Sequence, residues 1–373
     1  MSLPIRYIDD AAGLQQSMTA CRDVPVVTID TEFVRTNTYY PRVGLIQIYD
    51  GETCYLIDPL TIDDLSELGR LLEDDGVLKV IHACSEDLEV FEYCLDVRPT
   101  GLFDTQVAAA ASGLGFSIGY QAMVENLLGV SIPKEETRSD WLQRPLTDEQ
   151  IEYAALDVIY LFEVYEKLIA SMEGTDKEGW VLEDCRGMTD DVVIAMEPEA
   201  FYKRVRSAWR LDRRELKVLK DLCAWREREA RARDMPRNGV VDESVLVTLA
   251  RTKIEGKVQI REKSKITPGQ LRKYGDLLVE LANEARQSPV EDCPPEIPRP
   301  AKAPDKETMA QMRSLIDESA EELNVAPEML DRKQQLEELF ATRQEGEYRP
   351  PQSLSVWAAP VPRRPFLPPL PTT

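Results

Sequence analysis

The chain holds a single histidine, His82, among 373 residues. That excludes zinc sites built on two or three imidazoles, and it leaves a Ser-His-Asp arrangement only one residue to draw on. The seven cysteines, at 21, 54, 84, 94, 185, 223 and 293, never fall in C-x-x-C spacing. An odd, dispersed set argues against a disulfide frame or a zinc ribbon and for reduced thiols in a cytoplasm. No apolar run approaches the ~18 residues needed to span a bilayer. The opening MSLPIRYIDDAAGLQ has neither the basic start nor the apolar stretch of a signal peptide, so a cytoplasmic protein without a membrane partner is expected. The phosphate-cradling pattern G-x-x-x-x-G-K-[ST] is absent, which excludes a P-loop NTPase. What the chain has in quantity is Asp and Glu, 67 against 45 Lys and Arg. Any chemistry must fall mostly on carboxylates, the ligands of hard cations.

The charge is unevenly spread. Residues 1–200 carry 13 basic and 39 acidic side chains, residues 201–290 carry 22 and 13, and residues 291–373 carry 10 and 15. Two readings stand: ordinary solvated helix faces, or a first module that holds cations joined to a second that grips a polyanion.

At roughly 150 residues per domain, two or three domains are expected. Residues 1–195 read as α/β. Val24–Ile29 is a β-branched strand running into DTEF, while Gly44–Tyr49 and Thr53–Ile57 flank an Asp50-Gly51 hairpin turn. Val77–Ile81 is another strand, followed by the helical pattern SEDLEVFEYCL. From Leu146 apolar residues recur at helical spacing behind Thr147, which reads as the N-cap by its position ahead of Glu149 and Gln150. Together these predict a mixed sheet with helices on its faces. Beyond residue 200 the β signal disappears. Residues 201–233 read as helical throughout, with Leu216, Leu219, Leu222 and Trp225 on an apolar stripe, and Asp242 caps another helix within an all-α unit at 203–287. A proline-dense linker at 288–304, helical material at 305–347 and a proline-rich tail at 348–373 follow.

Asp30 and Glu32 end the first strong strand, and residues two apart on a strand share a face. They are either the polar end of an edge strand or a pair held together by a cation. Asp87 falls in the first turn of the helix after Val77–Ile81, at a strand-to-helix crossover where α/β proteins place their sites. It is either a dipole-complementing acid or part of the same site. Tyr153 and Asp157, four apart on the long helix, share a face, as a buried hydrogen-bonded pair or as a phenol that orients water beside a carboxylate. His82 reads as a packed, hydrogen-bonded side chain, and Asp104 as a helix N-cap outside the site.

Taken together and in this order, D-x-E on a strand, a mid-chain Asp and Y-x-x-x-D on a late helix resemble the tyrosine branch of the DEDD exonuclease superfamily. The strings DTEFVRTNTYYPRVGLIQIYDG, HACSEDLEVF, FDTQVAAA and YAALDVIYL are similar to those of the ribonuclease D family. LDRRELKVLKDLCAWREREARARDMPRN resembles the HRDC domain, and APEMLDRKQQLEELF looks like a shortened second unit of that kind. The resemblance implies an RNase H-like α/β catalytic domain followed by all-α HRDC-type domains. It implies a 3′→5′ exoribonuclease that releases 5′-mononucleotides from RNA, chiefly in tRNA 3′ maturation. Asp30, Glu32, Asp87 and Asp157 match the family's metal-binding acids, and Tyr153 matches the residue that orients the attacking water.

Phosphodiester hydrolysis by a pair of divalent cations fits this donor set, and oxygen ligands favour Mg²⁺ or Mn²⁺. In this reading Asp30 bridges both ions, Glu32 and Asp157 hold the ion that activates water, and Asp87 supports the ion at the leaving oxygen. Two basic patches are candidates for phosphate contacts: Lys203, Arg204, Arg206, Arg210, Arg213, Arg214, Lys217 and Lys220, then Arg261, Lys263, Lys265, Arg272 and Lys273. RNA is the expected partner of a monomer with no obligate protein partner. A DNA-directed exonuclease and a non-catalytic RNA-binding scaffold are the competing readings. One departure from the family pattern bears on the site: Cys84 stands where relatives often carry Gly, which raises the expectation of an oxidisable thiol near Asp87.

Overall fold

The computed structural model describes residues 5–132, 139–194, 197–299 and 306–330. The expected tail at 348–373 and the stretch 331–347 lie outside the described residues. Two compact units emerge, one from residues 5–34, 42–132, 139–190 and 306–330, the other from residues 35–41, 191–194 and 197–299.

The first unit contains one sheet of β1 (Ile5–Ile8), β2 (Val26–Val34), β3 (Arg42–Tyr49), β4 (Cys54–Ile57), β5 (Leu78–Ile81) and β6 (Leu102–Asp104). Their order is β1-β4-β3-β2-β5-β6. β2, β3 and β4 form an antiparallel meander, and the β3–β4 turn places Gly51 at φ 94°, a left-handed conformation that suits glycine. β5 runs parallel to β2, β6 parallel to β5, and β1 parallel to β4. The mixed sheet expected from sequence is therefore present, with β1 and β6 as short edge strands that the pattern reading did not resolve.

Helices α1 (Ala11–Arg22), α2 (Ser66–Leu72), α3 (Ser85–Val90), α4 (Thr105–Ala111), α5 (Tyr120–Leu128), α6 (Asp148–Met172) and α7 (Lys177–Ile194) complete this part. α6 starts where sequence places it, because the Thr147 hydroxyl accepts from the Gln150 N–H while the Gln150 side chain accepts from the Thr147 N–H. The buried Thr28 Oγ1 donates to the Val158 carbonyl at 2.7 Å, which ties the centre of α6 to the central strand β2. Leu45, Tyr49 and Leu56 of the sheet pack there against Ala154, Ala155, Val158 and Ile159 of α6.

The second unit is helical: α8 (Arg213–Ala232), α9 (Arg237–Val240), α10 (Glu243–Arg251), α11 (Lys257–Lys263) and α12 (Pro268–Gln287). Helix was expected over 201–233, but residues 198–204 and 208–210 are short 3₁₀ turns. The reason is Asp212, whose carboxylate caps α8 by accepting from the Arg214 and Glu215 N–H groups and so starts a new helix. Arginines that read as exterior have partners inside this unit. Arg213 donates to the Val290, Cys293 and Pro294 carbonyls, and Arg214 to those of Arg286 and Ser288. The buried Glu227 accepts from Arg231, Arg237 and the Tyr39 hydroxyl. Tyr39 belongs to the segment that follows β2 in the chain. The Asp234 carboxylate anchors that segment further by accepting from the Tyr39 and Tyr40 N–H groups.

Helices α13 (Lys306–Leu323) and α14 (Pro327–Leu330) are the described part of the segment read as a second helical unit. They belong to the same compact unit as the sheet. Ile316, Ala320, Val325 and Leu330 pack with Trp180 of α7, and the Ala326 N–H donates to the Ala110 carbonyl at 2.7 Å.

Candidate active site

The alternation of β2 puts Asp30 and Glu32 on one face, where Asp30 stands opposite Gln47 and Glu32 opposite Leu45 of β3. α6 delivers Asp157 to the same place, one residue before the Val158 carbonyl held by Thr28. One carboxylate oxygen from each of Asp30, Glu32 and Asp157 falls within 4.8 Å of the others. Two acids of one strand and a third from a distant helix thus converge.

Asp87 lies alongside this group. It is 7% exposed in the first turn of α3, where its Oδ1 accepts from Thr31 Oγ1 at 2.5 Å. Its charge still acts on Glu32. The turn that presents it is held from a distance: Asp104 accepts from the N–H groups of Ala83 at 3.0 Å and Cys84 at 2.9 Å, with Ala83 at φ 54°. Asp104 is also the expected N-cap of α4, accepting from the Gln106 N–H at 2.7 Å. Sequence reasoning found the cap and missed the staple, because no local signal links positions so far apart. The free thiol expected near Asp87 is present but enclosed. Cys84 is fully buried, and burial with nearby Asp104 drives its thiol far above the usual range, so the reactive thiolate is suppressed.

His82 is a packed side chain, as expected. Its Nδ1 lies 3.0 Å from Thr105 Oγ1, its ring centroid is 5.5 Å from that of Tyr120, and burial lowers its pKa. Tyr120 went unnoticed in the sequence, yet its hydroxyl donates to the Asp157 main-chain carbonyl.

Burial raises all four acids, and repulsion from neighbouring carboxylates adds to it at Glu32, Asp87 and Asp157. Asp30 is pushed up to about 6, Asp157 to about 8 and Glu32 to about 10, while Asp87 rises well above the ordinary carboxyl range. The Tyr153 phenol is also driven upward, first by burial and then by the Asp157 charge, so it is a neutral donor and not a base at physiological pH. Its hydrogen bond to Asp157 opposes that residue's rise. Asp157 Oδ1 is buried and has no hydrogen-bond partner. An orphaned carboxylate oxygen amid repelling acids, with only oxygen donors around it, is what a hard divalent cation satisfies. The residues fit such an ion.

Tyr153 is backed by Trp141, with ring centroids 6.1 Å apart. The Trp141 turn sits hard on β3: a Cβ at Gly44 would lie 2.3 Å from the Trp141 carbonyl oxygen, so only glycine fits. Arg144 clamps this arrangement. Its Nη1 donates to the Trp141 carbonyl at 3.0 Å, its Nη2 donates to the Gly44 carbonyl, and its guanidinium grips Asp58 through both oxygens. The one cue in the sequence was a tryptophan and an arginine in an otherwise polar, proline-bounded turn.

A family model described as 3′-5′ exonuclease matches residues 5–173, and an HRDC domain model matches residues 215–281. Fold and site together define a metal-dependent 3′→5′ exonuclease that carries a helical HRDC domain. Ribonuclease D of Pseudomonas paraeruginosa is 42% identical over 354 residues, covering 95% of this chain and 94% of its own length. Ribonuclease D of Escherichia coli K12 is 38% identical over 336 residues, covering 89% and 88%. The crystal structure of Escherichia coli RNase D, described as an exoribonuclease involved in structured RNA processing, matches with a TM-score of 0.84 at 36% identity and covers 95% of both chains. The chain belongs to the ribonuclease D family and is a 3′→5′ exoribonuclease. Among the described residues, no helix is long and apolar enough to cross a membrane.

Proposed function

We propose that this enzyme shortens RNA from the 3′ end one nucleotide at a time, releasing 5′-mononucleotides, with two Mg²⁺ or Mn²⁺ ions in the acidic site. The observation that carries this is the convergence of Asp30, Glu32 and Asp157 around the unpartnered Asp157 Oδ1. When bound, such a pair of ions activates water, neutralises the scissile phosphate and stabilises the leaving oxygen. Asp30, Glu32 and Asp157 would hold the ions, with Asp87 beside them in support. Thr31 orients Asp87 for that task. Tyr153, protonated and backed by Trp141, orients the attacking water without deprotonating it. The relative in Escherichia coli processes structured RNA, and the family likeness favours tRNA 3′ ends as substrates, acted on by a cytoplasmic monomer.

A time course on 3′-labelled and 5′-labelled RNA, with and without Mg²⁺ or Mn²⁺, tests this reading. A metal-dependent ladder shrinking from the 3′ end, with 5′-mononucleotide product, is expected. Asp30→Asn should lose at least about a thousandfold in rate, since each ion supplies several kcal/mol of transition-state stabilisation, while RNA binding persists. Full activity in Asp30→Asn, or preferential digestion of a matched DNA, would overturn it.

A further inference from the structure

Gln47 stands directly opposite Asp30 in the β2–β3 register. Residues so paired leave the same face of the sheet, with Cβ atoms roughly 4.5–5.5 Å apart. Across β3 from Asp30, Gln47 pairs with Leu56 of β4. Leu56, together with Leu45 and Tyr49 two positions away along β3, belongs to the apolar cluster under α6. The carboxamide therefore sits in a hydrocarbon wall beside one of the site's acids. Gln47 is fully buried, and neither its Nε2 nor its Oε1 has a hydrogen-bond partner. Leaving a buried amide unpaired costs roughly 1–3 kcal/mol. A leucine or methionine would fill the same space without that cost, so packing gives no reason for a glutamine. The neighbouring Asp157 Oδ1 is orphaned in the same way.

We infer that Gln47 is a positioning residue for Asp30, its amide N–H donating to the Asp30 carboxylate in the cation-loaded site and setting the angle at which Asp30 meets the ions. Only side-chain torsions separate the two groups, because the strand register has already made them neighbours. Carboxylates that ligate metals are commonly held by such outer hydrogen bonds, and losing one lowers metal affinity about 10–100-fold. The inference rests on the cation-site reading above, and the test keeps the two separable.

Gln47→Met replaces the amide with an unbranched apolar side chain of similar reach, and Gln47→Leu repeats the comparison with a branched one. Calorimetric titration of Mn²⁺ reports affinity, and melting in EDTA reports stability without cations. Both variants should melt at or above the wild-type temperature in EDTA while binding Mn²⁺ about 10–100-fold more weakly. Wild-type affinity in the variants, with Asp30→Asn weakened, overturns the role of Gln47 and leaves the cation site standing. A lower melting temperature in EDTA for both variants assigns the amide to the folded wall and likewise overturns the proposal. Equal Mn²⁺ binding by wild type and Asp30→Asn removes the cation site itself.

Discussion

Asp157 shows how one side chain comes under opposing demands. It is 7% exposed, its Oδ1 has no partner, and burial with the Asp30 charge pushes its pKa up to about 8. A carboxyl raised in the folded state retains a proton that the unfolded chain has already released. Stability of the cation-free protein should therefore fall as pH climbs from about 4, the unfolded range, through about 8. Divalent cations replace those protons, so the rise in melting temperature on adding Mg²⁺ should be larger at about pH 8.5 than at about pH 6. Differential scanning fluorimetry with and without EDTA measures both trends, and a Mg²⁺ effect that shrinks with pH would contradict them. Asp157→Asn removes a carboxyl whose ionisation the folded site resists. It should raise cation-free stability by on the order of 1–3 kcal/mol while abolishing nucleotide release, a trade that chemical denaturation and the labelled-RNA assay read side by side.

Among the elements, the strand alternation of β2 and the capping box of α6 were both written locally, and both formed as expected. The Trp141 turn is different, since its seat depends on Gly44 in β3 and Asp58 beyond β4. Arg144→Ala leaves Asp58, 1% exposed, without the guanidinium that grips it. It should cost about 3 kcal/mol in unfolding free energy. Because Arg144 reaches Tyr153 only through Trp141, kcat should fall more than KM rises. In a Tyr153→Phe background, itself slowed about a hundredfold by loss of the positioned hydroxyl, Arg144→Ala should slow the reaction little further. Additive losses in that double-mutant cycle would show that Arg144 acts on stability alone.

For the whole molecule, the contrast between an acidic first part and a basic segment at 201–290 remains the main electrostatic feature. The structure narrows which cations are available for RNA. Arg213 and Arg214 donate to carbonyls within their own unit, and Lys217 pairs with Asp221 at 2.6 Å. Arg261, Lys263, Lys265 and Arg272, on and after α11, are exposed. RNA affinity should weaken steeply with salt, and Lys263→Ala with Lys265→Ala should flatten the logarithmic salt slope by about 2 if each meets one phosphate. Fluorescence anisotropy across a salt series measures this, and an unchanged slope would move the contact surface elsewhere.

The residue string already carried the α/β and all-α halves, the D-x-E strand, the Y-x-x-x-D helix face and the Thr147 and Asp242 caps. Each of these is a local pattern, decided by side-chain period or by a hydrogen bond within a few residues. The convergence of Asp30, Glu32 and Asp157, the Asp104 staple, the Arg144 clamp and the stranded amide of Gln47 are decided by strand order and by helix docking on the sheet. Those contacts join positions from 17 to 130 residues apart. Nothing in a local window encodes them, because burial, and with it the raised pKa values and unpaired polar atoms, exists only once distant segments exclude water together.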